Sequence, residues 1–173
     1  LVSRPPGSGL SPLPGGGAPK PPQLYFDIRR ELDAPIVSGY GLTECPVLAM
    51  NGPGDPDLKL AHTEGRACPE IAEIRICDLE GHVLAADAEG EIRVRAPQLC
   101  RGYWNTSLDD DAFDADGFFR TGDLGALDEA GFLRVTGRLK DVIIRKGENI
   151  SAKEVEDILA FHPKVREVAV IGL

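Results

Sequence analysis

A chain of 173 residues with 42% hydrophobic and 27% charged side chains has an ordinary globular composition, enough for one domain or for one and part of another. Its formal net charge of -9 sets it against nucleic-acid phosphate and anionic membrane surfaces as partners, since both repel an acidic protein. No apolar run approaches the roughly 20 residues of a membrane span. The N-terminus carries no basic-then-apolar signal, and a first residue Leu1 in place of Met reads as a fragment or a processed chain.

Residues 1–22 hold half of the 14 prolines and five glycines, so this segment is expected to be irregular and not a central strand. Its SGLSPLPGG stretch lacks the lysine of a phosphate-binding glycine loop, which rules that motif out. Gln23 to Leu32 reads as a short helix with Leu24, Ile28 and Leu32 on one stripe, ended by Asp33-Ala34-Pro35. Ile36-Val37 then opens a strand that delivers Ser38 to Glu44 at its C-terminal end, where open α/β sheets bind ligands. Residues 51–70 read as a loop.

Short strands follow at Glu73–Asp78, Gly90–Ala96, Phe118–Thr121, Gly131–Thr136 and Val142–Arg145, separated by glycine-marked turns. Alternation such as Ile74/Ile76 and Ile92/Val94 predicts one buried and one wet face, hence a small antiparallel sheet or β-barrel-like unit within an α/β chain. The acidic run from Asp109 to Gly117 fails the calcium-loop template at both ends: counted back from Gly117, position one is Ala112 and position twelve is Asp123. Ser151-Ala-Lys-Glu154 has the form of a capping box, with Val155, Ile158 and Leu159 as the buried stripe of the helix it starts. Val165 to Leu173 reads as a further strand.

Cys45, Cys68, Cys77 and Cys100 are spaced 23, 9 and 23 apart, with no C-x-x-C pair and no histidine at ligand spacing. They read as small buried hydrophobes in a reducing, cytoplasmic setting. His62, His82 and His162 are isolated and get the same structural reading.

Two separated motifs stand together: Gly39-Tyr-Gly-Leu-Thr-Glu44, and Thr121-Gly-Asp123 followed by Gly137-Arg138-Leu-Lys-Asp141 and Arg145-Lys-Gly-Glu-Asn-Ile-Ser151. In this order and at these separations they resemble the adenylate-forming superfamily of acyl-CoA synthetases, luciferases and peptide-synthetase adenylation domains. The Gly-Glu-Asn-Ile-Ser form and the Arg101-Gly-Tyr-Trp-Asn105 segment look most like a carboxylic acid– or fatty acid–CoA ligase. The resemblance implies an α/β fold in which residues 23–139 end the large AMP-binding domain, β-rich from about residue 71. Residues 140–173 would then be a hinge and the start of a small α+β domain.

It also implies a reaction in two halves, in which a small-molecule carboxylate and ATP give acyl-AMP, and coenzyme A then displaces AMP. Tyr40 offers a flat face for adenine, with Ser38, Gly39, Gly41 and Leu42 shaping the backbone around it. Thr43 is the hydroxyl donor to the α-phosphate, and Glu44 is a hard oxygen ligand for Mg²⁺. Asp123 pairs two acceptor oxygens with the ribose hydroxyls, and Arg138 presents a fork of donors to ribose or phosphate. Lys140 falls at the hinge, Gly147 on the coenzyme A side, and Gly17-Ala18-Pro19 at the turn near adenine and acyl group.

The superfamily's upstream phosphate loop and its late lysine have no counterpart in these residues, so the chain by itself is expected to be inactive. Two alternatives stay open: a non-catalytic nucleotide-binding or interaction remnant, and a fragment of a peptide-synthetase adenylation domain.

Overall fold

The computed structural model describes residues 11–16, 20–67, 71–145, 148–160 and 162–172. Two four-stranded sheets and one hairpin carry the chain. The first sheet has strand order β1-β2-β3-β4, built from β1 (Leu13–Gly15), β2 (Ile36–Tyr40), β3 (Ala49–Met50) and β4 (Arg66–Ala67). β1 runs parallel to β2 and the remaining pairs are antiparallel. A parallel pair needs a crossover, and α1 (Pro22–Leu32) supplies it, so β1-α1-β2 is a βαβ unit.

Proline-rich composition did not keep the N-terminal segment out of the sheet. Leu13-Pro14-Gly15 pairs with Ile36-Val37-Ser38, and Pro14 is tolerated because β1 is an edge strand. Residues 51–70 are not all loop either: α2 (Asp57–His62) and β4 lie within them.

Helix α1 forms where expected, but it turns a different face inward. Tyr25 is fully buried, and Phe26 and Ile28 pack beside Ile36, Leu60 and Ala61, whereas Leu24 and Leu32 are exposed. An aromatic ring buries more apolar area than a leucine, and the Tyr25 hydroxyl donates to Asp57 Oδ1 at 2.7 Å, so the ring sets the rotation. The helix stops at Asp33, which adopts a left-handed φ of 51° and returns its N–H to the Arg29 carbonyl.

The second sheet is antiparallel with order β5-β6-β7-β8: β5 (Glu73–Cys77), β6 (Gly90–Arg95), β7 (Phe119–Leu127) and β8 (Leu133–Arg138). It is open. Its outer strands β5 and β8 do not pair among the described residues, which corrects the barrel-like expectation; four strands are about half of what a small closed barrel uses. β7 runs six residues past Thr121 to Leu127, through Gly122 and Gly125 and a register shift between Leu124 and Gly125.

β6 also departs from simple alternation, because both of its faces are covered. Ile92 and Val94 lie in the core, and on the other face Arg93 and Glu91 are also buried. The Arg93 guanidinium holds Glu91 at 2.9 Å and Asp114 at 3.1 Å, which is how charge is accommodated under that face.

The two sheets share one core. Tyr40, Cys45, Leu48 and Ala49 from the first pack with Ile76, Ile92, Val94, Phe119 and Leu133 from the second. Backbone bonds staple the seam: the Glu64 N–H donates to the Leu133 carbonyl and the Leu133 N–H to the Gly65 carbonyl, both at 2.8 Å. Gly65 has φ +91°, and a Cβ there would sit 1.9 Å from the Met50 carbonyl carbon, so no other residue fits.

After a 3₁₀ turn at Leu139–Asp141, β9 (Val142–Arg145) and β10 (Glu148–Ser151) form a hairpin that leads into α4 (Ala152–Ala160). α3 (Asp109–Ala112) is a single turn after the Arg101–Asn105 segment. The Ser151 hydroxyl donates to the Thr136 carbonyl at 3.3 Å; the Glu154 side chain that would complete a capping box is outside the described residues. The stripe expected on α4 is not buried: Ile158 is 66% and Leu159 42% exposed. Nor do residues 165–172 enter a ladder among the described residues; they are tied to helix α4, where Val170 N–H donates to Glu156 Oε1 at 2.9 Å.

Cys45 and Cys77 are buried free thiols and Cys100 is half-buried, while Cys68 lies outside the described residues. Burial pushes the Cys45 and Cys77 thiols up. No helix among the described residues is long and apolar enough to cross a membrane.

Candidate functional site

A cleft of about 1050 Å³ opens where the C-terminal end of β2 meets β7 and β8. That size is at the upper end for small-molecule sites. The Gly39–Glu44 loop, Asp123 and Arg138 form one wall, and residues 140–143, 151–152 and 169–172 form the other.

The loop after β2 is tight. Leu42 and Cys45 exchange both backbone hydrogen bonds, at 3.1 and 3.2 Å, and Leu48 N–H returns to the Tyr40 carbonyl at 2.7 Å. Gly41 is required for this closure, because a Cβ would meet the Val47 nitrogen at 2.5 Å. The glycine thus serves the chain's own turn, which then presents Thr43 and Glu44 at the cleft, Thr43 exposed and Glu44 half-buried.

Tyr40 and Asp123 come from strands 83 residues apart and meet at 2.7 Å, the hydroxyl donating to Oδ2. Both are buried, at 9% and 5% exposure. The other carboxylate oxygen, Oδ1, holds the Arg138 Nε at 3.0 Å, while more than half of the Arg138 side chain stays exposed in the cleft. Asp123 and Arg138 are direct register partners across β7 and β8. The backbone under the carboxylate is pinned as well: Asp123 N–H donates to Thr121 Oγ1 at 3.0 Å, and that hydroxyl donates to the Ile92 carbonyl at 2.7 Å. Burial, with the Asp123 carboxylate beside it, pushes the Tyr40 phenol well above its ordinary value, so it remains a donor.

Glu44 has a partner that motif reading passed over. Tyr103 donates its hydroxyl to Glu44 Oε1 at 2.8 Å, and burial followed by this bond pushes the Tyr103 phenol up to about 12. Tyr103 sits in the Arg101-Gly-Tyr-Trp-Asn105 segment, which carried a resemblance but no assigned chemistry. Thr121 was likewise read only as part of a motif. Neither carries a periodicity signal; only the three-dimensional contact reveals it.

The remaining expected residues distribute as follows. Lys140 is exposed in the 3₁₀ turn at the cleft margin. Ser38 is buried within β2, where its hydroxyl has no hydrogen-bond partner among the described residues. Gly17, Ala18, Pro19 and Gly147 lie outside the described residues.

The donor set fits a nucleotide and a divalent cation. A carboxylate oxygen accepts along two lone pairs, so Asp123 keeps acceptor capacity after its bonds to Tyr40 and Arg138. Glu44 Oε2 accepts from no described residue, which leaves one hard oxygen beside the cleft, as a Mg²⁺ shared with phosphates and water requires.

The family profile described as "AMP-binding enzyme" matches residues 4–104, more than half of the chain. The chain belongs to the AMP-binding enzyme family. Among similar members of known name, the indoleacetate–CoA ligase of Aromatoleum aromaticum is 41% identical over 166 residues, covering 95% of this chain and 32% of its own. The medium-chain fatty-acid–CoA ligase of Escherichia coli is 40% identical over 139 residues, covering 80% of this chain and 24% of its own. Among solved structures, the O-succinylbenzoate coenzyme A synthetase of Bacillus subtilis, in complex with ATP and a magnesium ion, superposes with a TM-score of 0.84 at 37% identity. That match covers 98% of this chain and 35% of the synthetase. This AMP-binding enzyme chain therefore spans about a third or less of the length of the relatives it matches.

Proposed function

We propose that the chain is part of an ATP-dependent carboxylic acid–CoA ligase and carries a share of its adenylate site. The observation that carries this reading is the Tyr40–Asp123–Arg138 cluster, held on one cleft with the Thr43-Glu44 turn. Buried, pinned acceptors beside an exposed guanidinium suit the ribose hydroxyls of a nucleotide, and the Tyr40 ring lines the same cleft for adenine.

In this reading Asp123 accepts from the ribose hydroxyls and Arg138 donates to ribose or phosphate oxygen. Thr43 donates its hydroxyl to the α-phosphate. Glu44 would hold Mg²⁺, whose charge offsets that of the phosphates as the P–O bond breaks. The substrate carboxylate oxygen bonds to the α-phosphorus and pyrophosphate leaves. The coenzyme A sulfur, having lost its proton, then bonds to the acyl carbon, and AMP leaves with the electrons of the acyl–oxygen bond.

Lys140 lies where the chain passes from the second sheet to the β9–β10 hairpin, at an exposed turn. That position supports a pivot between the large domain, residues 23–139, and a small domain beginning at 140. The exposed Ile158 and Leu159 of α4 also support a small domain that packs its helix against further elements.

The test follows labelled phosphate in the complete ligase. Acid-dependent exchange of pyrophosphate into ATP, and thioester formation on addition of coenzyme A, is the expected result. Release of ADP and inorganic phosphate, or exchange with no requirement for a carboxylic acid, overturns the reading.

A further inference from the structure

The Gly39–Glu44 loop is gripped from outside by a segment more than fifty residues away in sequence. Gln98 Nε2 donates to the Val47 carbonyl at 3.3 Å, and Cys100 N–H donates to the Glu44 carbonyl at 2.7 Å. Tyr103 then reaches the Glu44 carboxylate itself, at 2.8 Å. Its own backbone is fixed in turn, since Tyr103 N–H donates to Asp109 Oδ1 at 2.8 Å and its ring packs partly buried against the shared core.

We infer that Tyr103 is a positioning residue for Glu44: its hydroxyl occupies Oε1 and holds the carboxylate so that Oε2 serves a divalent cation carried with the nucleotide phosphates. The inference rests on the assignment of Glu44 as the metal-side carboxylate made above. Glu44 is bound at both its main chain and its side chain by the same segment, so its carboxylate is held by a scaffold outside its own loop. Carboxylates that hold metals are oriented by such outer hydrogen bonds, and removing one typically weakens metal affinity by about 10–100-fold.

The experiment titrates Mg²⁺ at saturating ATP and acid in the complete ligase, reading pyrophosphate exchange for the parent, Glu44→Gln and Tyr103→Phe. Phe keeps the ring in its packing place and removes only the donor. Tyr103→Phe is expected to raise the half-saturating Mg²⁺ concentration about 10-fold or more, with the KM for coenzyme A and the urea midpoint unchanged. Replacement of Tyr103 by p-aminophenylalanine, which restores an N–H donor at the same place, should return the Mg²⁺ requirement towards that of the parent.

An unshifted Mg²⁺ requirement in Tyr103→Phe, with Glu44→Gln shifted, overturns this inference alone. Glu44→Gln unshifted overturns the metal role of Glu44 and the inference with it. A parent ligase without acid-dependent exchange overturns the proposed reaction. Should Tyr103→Phe not fold, the decision passes to the p-aminophenylalanine variant: a Mg²⁺ requirement raised as far as that of Glu44→Gln, despite the restored donor, overturns the inference, and a parental value supports it.

Discussion

Asp123 and Arg138 face each other across the β7–β8 ladder and are joined at 3.0 Å, so the pair is assembled by strand register before any ligand arrives. Tyr40 completes it from the other sheet. A ligand entering this cleft meets a carboxylate already held by one hydrogen bond and one ion pair, which lowers the entropy lost on binding.

The first prediction concerns that carboxylate. Asp123→Asn keeps the shape and an acceptor oxygen but removes the charge that strengthens the proposed ribose contacts. Two charge-assisted hydrogen bonds weakened by about 1.5 kcal/mol each lower kcat/KM for ATP roughly 100-fold. Asp123→Ala should be worse for the fold as well, because it leaves the buried Tyr40 hydroxyl without its acceptor, at about 1–3 kcal/mol. ATP kinetics and urea unfolding of the two variants separate these effects; unchanged ATP kinetics in Asp123→Asn would remove Asp123 from the site.

The chain's motifs named Tyr40, Asp123 and Arg138 but could not say that they touch, since contact across 83 residues is a property of sheet packing. Helix α1 and most strands were legible from periodicity and turn residues. The buried face of α1 was not, because a lone aromatic at Tyr25 outweighed the leucine spacing. Closure of the second sheet was equally hidden, as short alternating strands look alike in an open sheet and a barrel. Glu91 and Arg93 read as wet-face residues only until their mutual ion pair is seen. Tyr103 is the clearest omission: a tyrosine in a turn carries no sign of the glutamate it will meet.

A second prediction lies at the seam of the sheets. At Gly65 the neighbours a side chain would strike are the backbone atoms of Met50 and Asn51, which cannot rotate away. Gly65→Ala combines that clash with a left-handed φ of +91° and should destabilise by about 4 kcal/mol or more, among the largest single-residue effects. Chemical denaturation measures it. A loss below about 1 kcal/mol would mean that β3 and β4 separate readily.

A third follows from the charge under β6. Arg93→Met leaves Glu91 and Asp114 without their cation in a buried setting, an error of about 3–5 kcal/mol. The double change Arg93→Met with Glu91→Leu should be milder than the single one, because it removes a stranded charge and adds apolar area. Urea midpoints of the parent, single and double variants decide this, and a double variant less stable than Arg93→Met alone would contradict it.

Acid titration reads the same network. Burial pushes the Asp114 carboxyl up, but the Phe118 N–H, the Arg93 guanidinium and the Asp116 N–H outweigh it and leave its pKa lowered. A carboxyl with a folded pKa below its unfolded value stabilises the fold at pH above the unfolded value, about 4, and loses that contribution as pH falls through the folded one. The urea midpoint of the parent should therefore fall below about pH 4, and Asp114→Asn should show a shallower fall over the same range. Parallel curves for the two proteins would assign the acid sensitivity to other carboxylates.

The last prediction addresses Lys140. The 3₁₀ turn at Leu139–Asp141 is closed by one backbone bond, from Val142 N–H to the Leu139 carbonyl, and Lys140 itself is exposed. Such a turn has little packing to hold one set of dihedrals, which suits a pivot that adopts two poses in turn. Proline at 140 fixes φ near -65° and disfavours the helical region for Leu139, so only poses compatible with that geometry survive. In the complete ligase Lys140→Pro should therefore block one half-reaction and spare the other, read as pyrophosphate exchange against thioester formation from supplied acyl-AMP. Lys140→Ala, which changes charge without restricting the backbone, should leave both largely intact. If proline depresses the two half-reactions equally while the urea midpoint holds, residue 140 does not act as the pivot.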